Sequence, residues 1–158
     1  HYYIWRYGGP PKPPGAARGL AFVSERDGNA EIYLVGDDAT GLRNLTNHPA
    51  RDYAVAWSPE GHQVVVERLE SGRHGTFAVH LWLVGVQGGE TQQLTSDPAY
   101  REEQPVWLPD GKGIVFDRWQ AMGREAAGLW VLRLGEGDPQ MLDATGANPR
   151  VAGSPGGF

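Results

Sequence analysis

At 158 residues the chain is the size of one domain, and its net charge of −5 offers no basic face of the kind nucleic acid requires. It has no cysteine, which removes disulfides and thiolate metal sites, and its longest apolar runs, such as 81–84, are far too short to span a bilayer. Glycine (23) and proline (12) are abundant beside many aliphatic and aromatic residues, a mix that suits short strands and many turns rather than disorder.

Residues 1–18 differ from the rest. His1 to Tyr7 is aromatic-rich and able to pair as a strand. Residues 8–15 hold four prolines, which favour an extended spacer. Such a leader also suits a juxtamembrane spacer, so any membrane contact is expected only through an anchor upstream. From Gly19 a regular pattern begins. A strand over 19–26 meets the hairpin signal Asp27-Gly28-Asn29, and 31–35 returns. A turn at 37–41 leads to a short strand at 42–46, which Asn47-His48-Pro49 breaks.

The second unit runs 52–57, a turn at Pro59-Glu60-Gly61, 62–69, a loop at 71–75, 77–84, a turn at Gly88-Gly89, and 91–95. The third runs 103–107, 113–119, a loop at 122–127 with room for one turn of helix, 129–134, and 140–143. A last strand candidate is Asn148 to Ala152.

The stretch that organises these units is Trp57-Ser58-Pro59-Glu60-Gly61. It returns fifty residues later as Trp107-Leu108-Pro109-Asp110-Gly111, and a worn copy is Gly153-Ser154-Pro155-Gly156-Gly157. Proline presets φ for a tight turn and glycine accepts the positive φ that other residues resist. Other columns keep the spacing: Tyr33, Trp82 and Trp130, and Leu45, Leu94 and Leu142. An acid-Arg pair also recurs, as Glu25-Arg26, Glu67-Arg68 and Asp117-Arg118. Neighbours on a strand face opposite ways, so each member is expected to meet a neighbouring unit, as an exposed pair worth about 0–1 kcal/mol. Four short strands per unit of about fifty residues match a β-propeller blade. The expected fold is therefore all-β: blades of four antiparallel strands, about three per chain (19–51, 52–102 and 103–147), with 148–157 a spare first strand and turn.

The run from Ser24 to Tyr33, then Gly41 to Pro49, then Ala56 to Gly61 resembles the TolB-type (WD40-like, PD40) propeller repeat. The resemblance is good over 19–111 and decays over 112–157. It implies a propeller of six or seven blades and a periplasmic or extracellular place in the bacterial envelope. The family includes periplasmic TolB, the gating domains of prolyl-oligopeptidase-like peptidases, tricorn-type proteases and oligogalacturonate lyases. Three blades fall short of the four to eight that close a ring. One completion is a homodimer of 3 + 3 blades, each chain donating Asn148 to Ala152 to its partner's first blade, which would remove open sheet edges. The others are His1 to Tyr7 as the missing strand, or further blades of a longer propeller.

Chemistry is sparse. None of the five serines (Ser24, Ser58, Ser71, Ser96, Ser154) sits in a nucleophile elbow. His48, His62, His74 and His80 lack ligand spacing. Asp27, Asn29 and Glu31 alternate but lack the length and acid count of a calcium loop. Asn44-Leu45-Thr46 is formally a glycosylation sequon. No cofactor, no metal and no enzymatic role are expected. Propeller loops gather on rims that bind partners, and Tyr and Arg are favoured anchors there. Tyr53, Arg73, Tyr100, Arg101 and Arg124 are the expected partner-binding residues. The function expected is a non-catalytic protein-interaction scaffold. The alternatives are an accessory or gating propeller of a larger enzyme such as a peptidase, and a glycan- or metal-binding propeller.

Overall fold

The structure, a computed structural model, describes residues 19–71, 76–88, 90–123 and 125–144, with the backbone of 4–6. Twelve strands form: β1 (Ile4–Arg6), β2 (Leu20–Ser24), β3 (Glu31–Val35), β4 (Arg43–Asn44), β5 (Arg51–Trp57), β6 (Gln63–Ser71), β7 (Phe77–Gly85), β8 (Thr91–Gln93), β9 (Tyr100–Trp107), β10 (Gly113–Gln120), β11 (Ala126–Arg133) and β12 (Gln140–Asp143). They make three antiparallel four-stranded sheets, β1 to β4, β5 to β8 and β9 to β12, each in sequence order. These are three propeller blades, and the described residues include no helix.

The first-strand place of blade 1 is filled from the leader. β1 pairs with β2 through Ile4 opposite Phe22, Trp5 opposite Ala21 and Arg6 opposite Leu20. Any donated strand would have to displace it. Asn148 to Ala152 and the turn copy at 153–157 lie outside the described residues.

Each Pro-Gly turn closes the first hairpin of its blade. Gly61 N–H donates to the Ser58 carbonyl and Gly111 N–H to that of Leu108, both at 2.9 Å. Both glycines take a left-handed φ, 73° and 68°. Ser58 is buried and its hydroxyl accepts Gln63 N–H at 3.1 Å, so this serine is part of the turn.

Blade 2 is covered on both faces, which explains the unbroken run Val64-Val65-Val66, all at 0% exposure. Val64 and Val66 join Ala21, Val23, Ile32 and Leu34 in the core between blades 1 and 2. Val65 joins Leu81, Leu83, Trp107, Ile114 and Phe116 in the core between blades 2 and 3. Trp107 Nε1 donates to the Ala56 carbonyl at 3.0 Å, tying the first strands of two blades together.

Three expectations change. β9 begins at Tyr100 rather than 103, because Tyr100 and Arg101 pair with Gln120 and Trp119. No helical turn forms over the described residues of 122–127, where β11 already begins at Ala126. The acid-Arg pairs are not exposed in blades 2 and 3. Arg68 is 2% exposed and makes a two-pronged ion pair with Asp52 at 2.7 and 2.8 Å. Arg118 is 5% exposed and meets Glu102 at 3.1 Å. Each arginine therefore pairs within its own blade, with the acid directly opposite on the first strand. Glu67 does reach the next blade, accepting Gln104 N–H at 2.6 Å.

Candidate functional site

One rim of the blades collects the chemistry. β5 and β9 begin there, β6 and β10 end there, and the crossovers 45–50 and 94–99 run across it, as the pairs Arg51–Leu69 and Tyr100–Gln120 show. The opposite rim carries the Pro-Gly turns.

Under the crossovers lies a buried polar layer. Thr46 and Thr95 hydroxyls accept the Ile32 and Leu81 N–H groups at 3.0 and 2.9 Å, so each crossover is pinned to the third strand of its blade. Between blades 2 and 3, fully buried Glu102 gathers His80 Nδ1 at 2.8 Å, the Thr95 hydroxyl at 3.0 Å and Arg118 at 3.1 Å. Between blades 1 and 2, Glu31 accepts the His48 N–H and Asn29 Nδ2. The arginines also lie over aromatic faces, Arg68 on Trp82 at 4.7 Å and Arg118 on Trp130 and Tyr100 at 4.3 and 4.6 Å. A buried carboxylate held by this many donors is an orienting group for the crossovers. No group of three or more His, Cys, Asp or Glu among the described residues is placed to hold a metal ion.

Glu67, on β6, reaches the first strand of blade 3 at Gln104. Burial pushes its carboxyl up to about 7, against the Gln104 N–H, which favours the ionised form, and with help from the nearby Glu103 charge.

The expected partner-binding residues divide. Tyr53, half-buried against the blade 1–2 core, hydrogen-bonds Arg51 and holds that guanidinium above its ordinary range. Tyr100 is half-buried, and the Arg118 guanidinium lies between its ring and that of Trp130. Arg101 pairs with Glu103 at 3.5 Å. Arg73 and Arg124 lie outside the described residues. Tyr53, Tyr100 and Arg101 thus share the rim, each already engaged by neighbours in its own blade.

Arg51 and Phe77 carry no signal of their own in the sequence, whereas Glu70 falls in the 70–76 loop expected on the rim. These line a cleft of about 720 Å³ beside the first crossover, floored by Pro49 and Leu69. Phe77 is 62% exposed. The available signal for Arg51 was its place two residues from Tyr53 on the same strand face.

No protein-family profile matches the chain. Over 132 residues it is 30% identical to YuxL, an uncharacterized peptidase of Bacillus subtilis, a match that takes in 63% of this chain and 20% of that protein. Among solved structures, a putative TolB from Agrobacterium tumefaciens superposes with a TM-score of 0.64 at 19% identity, covering 85% of this chain and 50% of that one. Oligogalacturonate lyase from Vibrio parahaemolyticus gives 0.60 at 16%, covering 79% and 33%. A prolyl endopeptidase, studied for inter-domain dynamics in catalysis and specificity, gives 0.58 at 12%, covering 88% and 21%. The chain spans about a fifth of YuxL and half or less of each of these structures. Its fold is that of a TolB-type propeller. The expectation that the chain has no enzymatic role is corrected here. The finding that overturns it is that the relative 30% identical over 132 residues is named a peptidase; the likenesses to a lyase and a prolyl endopeptidase, at 16% and 12% identity, concern the fold.

Proposed function

We propose that these blades, with their TolB-type fold, belong to a peptidase, and that their crossover rim meets the peptide substrate. The observation that carries this is the 30% identity to YuxL over 132 residues, a match too long to come from one turn motif. The likeness to a prolyl endopeptidase agrees with it at the level of fold. The geometry is suited to the role. Crossovers pinned by buried Thr95 and Glu102 present a stiff rim, and a stiff rim holds a flexible substrate at lower entropic cost.

The test is turnover. The complete gene product is incubated with a pool of synthetic peptides, and cleavage is followed by mass spectrometry. Cleavage of short peptides in preference to a folded protein is the expected result. Absence of cleavage across the pool overturns the reading.

We further propose a cell-envelope setting, periplasmic or extracellular, supported by the likeness to TolB structures. Fractionation of cells expressing the tagged gene checks it, with recovery only in the cytosol as the contrary result. Protein partners are proposed at the same rim, and self-association through Asn148 to Ala152 belongs with them. Light scattering separates one-chain from two-chain mass.

A further inference from the structure

Blade 2 packs on blade 3 through one side of its sheet. Ala56, Val65, Leu81, Leu83 and Leu94 supply apolar contacts there, and Glu67, on the same side, takes the Gln104 N–H. The register fixes that side, because residues directly opposite share a face. Val65 lies opposite Ala56 and Leu83, and Glu67 opposite Leu81. Blade 3 repeats the pattern on its far side. Val115 lies opposite Val106 and Val131, and Asp117 opposite Leu129. These residues turn away from the blade 2–3 core, which takes the alternate side chains Ile114, Phe116, Trp130 and Leu132. Val106, Leu129 and Val131 are only half-buried. Leu142 completes the set: its counterparts Leu45 and Leu94 lie in or against a core, whereas Leu142 is 55% exposed. The far side of blade 3 therefore carries the features that join blade 2 to its neighbour.

In both described joints such a face is crossed by the next first strand. The chain beyond β12 has the reach to do the same. Leu45 precedes Trp57 by twelve residues, Leu94 precedes Trp107 by thirteen, and Leu142 precedes Gly153 by eleven. The turn copy Ser154-Pro155 sets Val151 in the column of Val55 and Pro105, both buried, and Arg150 in that of Ala54 and Gln104.

We infer that Asn148 to Ala152 docks across the far side of blade 3 in its own chain. Val151 seats among Val115, Leu129 and Val131. The Arg150 N–H goes to the Asp117 carboxylate, as that of Gln104 goes to Glu67. Arg150 and Asp117 also carry opposite charges, so the contact is complementary in charge. Glycine stands at 153 where Trp107 ties its strand to the Ala56 carbonyl, so this strand has one tie fewer. The docking goes beyond the peptidase reading and takes nothing from it.

The test is disulfide capture in the complete gene product under oxidised glutathione. Leu129→Cys with Val151→Cys joins the segment to its seat, and Gln92→Cys with Val151→Cys, on the outermost strand of blade 2, is the control. Isotope-light and isotope-heavy protein are mixed before oxidation, so the masses of the joined peptides tell one chain from two. Rapid joining within one chain is expected for the first pair only. Peptides of mixed label would put the segment on another copy and overturn the seat, and joining no faster than the control would overturn the docking. Val131→Asp gives a second readout, by hydrogen exchange. It should abolish protection of the 148–152 amides while β10 keeps its own. Protection that survives in this variant, or none in the parent, counts against the seat, and the cysteine pair decides if the variant unfolds blade 3.

Discussion

Glu67 and Arg68 are neighbours in the chain with opposite surroundings. Arg68 turns into its own blade and is neutralised by Asp52 through two hydrogen bonds. Removing one partner from such a buried pair strands the other, at a cost of about 3–5 kcal/mol. Asp52→Ala should therefore destabilise by that order in urea unfolding. The double change with Arg68→Met should recover most of it, and a double variant no better than Asp52→Ala would show that the pair is not the cause. Glu67 turns to the next blade, and its carboxyl titrates at about 7 in place of 4.5. Its folded pKa is raised, so between these values the folded chain keeps a proton that the unfolded chain has released. Stability must then fall as pH rises from about 4.5 to 7 and level off above, by no more than roughly 3 kcal/mol because water still reaches part of the group. Glu67→Gln keeps an acceptor for Gln104 N–H and should flatten that slope. An unchanged slope between pH 5 and pH 8 would place the titration elsewhere.

Among the elements, the Pro-Gly hairpin turns repeat most faithfully. Gly111 holds φ at 68°, where a Cβ costs about 1–2 kcal/mol. That Cβ would also come within 2.6 Å of Glu60 Oε1 on the neighbouring turn. Gly111→Ala should lower stability by about that amount, and adding Glu60→Ala should relieve only the contact. If Glu60→Ala restored the whole loss, φ strain would not be the cause. The first strands carry a second repeated device. Ala54 and Gln104, fifty residues apart, take left-handed φ of 38° and 56° beside register shifts in their pairings. These bulges twist the first strands and turn the Gln104 N–H toward Glu67.

At the scale of the molecule, blade 2 belongs to two cores. One face packs on blade 1 and the other on blade 3, with Val64, Val65 and Val66 divided between them. Loss of either core therefore exposes blade 2, and the blades are coupled through it. Leu81→Ala, at a fully buried position of the blade 2–3 core, should cost about 2–5 kcal/mol. The loss should appear as one shifted transition, identical by tryptophan fluorescence and far-UV circular dichroism. Two separated transitions would show blades that unfold independently.

The sequence alone determined the repeat and the plan of four antiparallel strands per blade. Those depend on local chemistry: proline and glycine at turns, alternation along strands, and a constant period. It also carried the likeness to TolB-type repeats. Only the tertiary structure decided how the charges are used. Asp52 and Arg68 are sixteen residues apart, as are Glu102 and Arg118, and the fifty-residue period repeats the pair without showing that it is buried. Their burial depends on the next blade covering them, so they looked like ordinary solvated charges along the strand. The rim cleft is less legible still. Beside it Asn29 reaches across to the Ala50 carbonyl, a contact over twenty-one positions that its own hairpin does not foretell. Local conformation follows from neighbouring residues, whereas desolvation and cleft shape follow from what packs on top, and that is settled only when the blades meet.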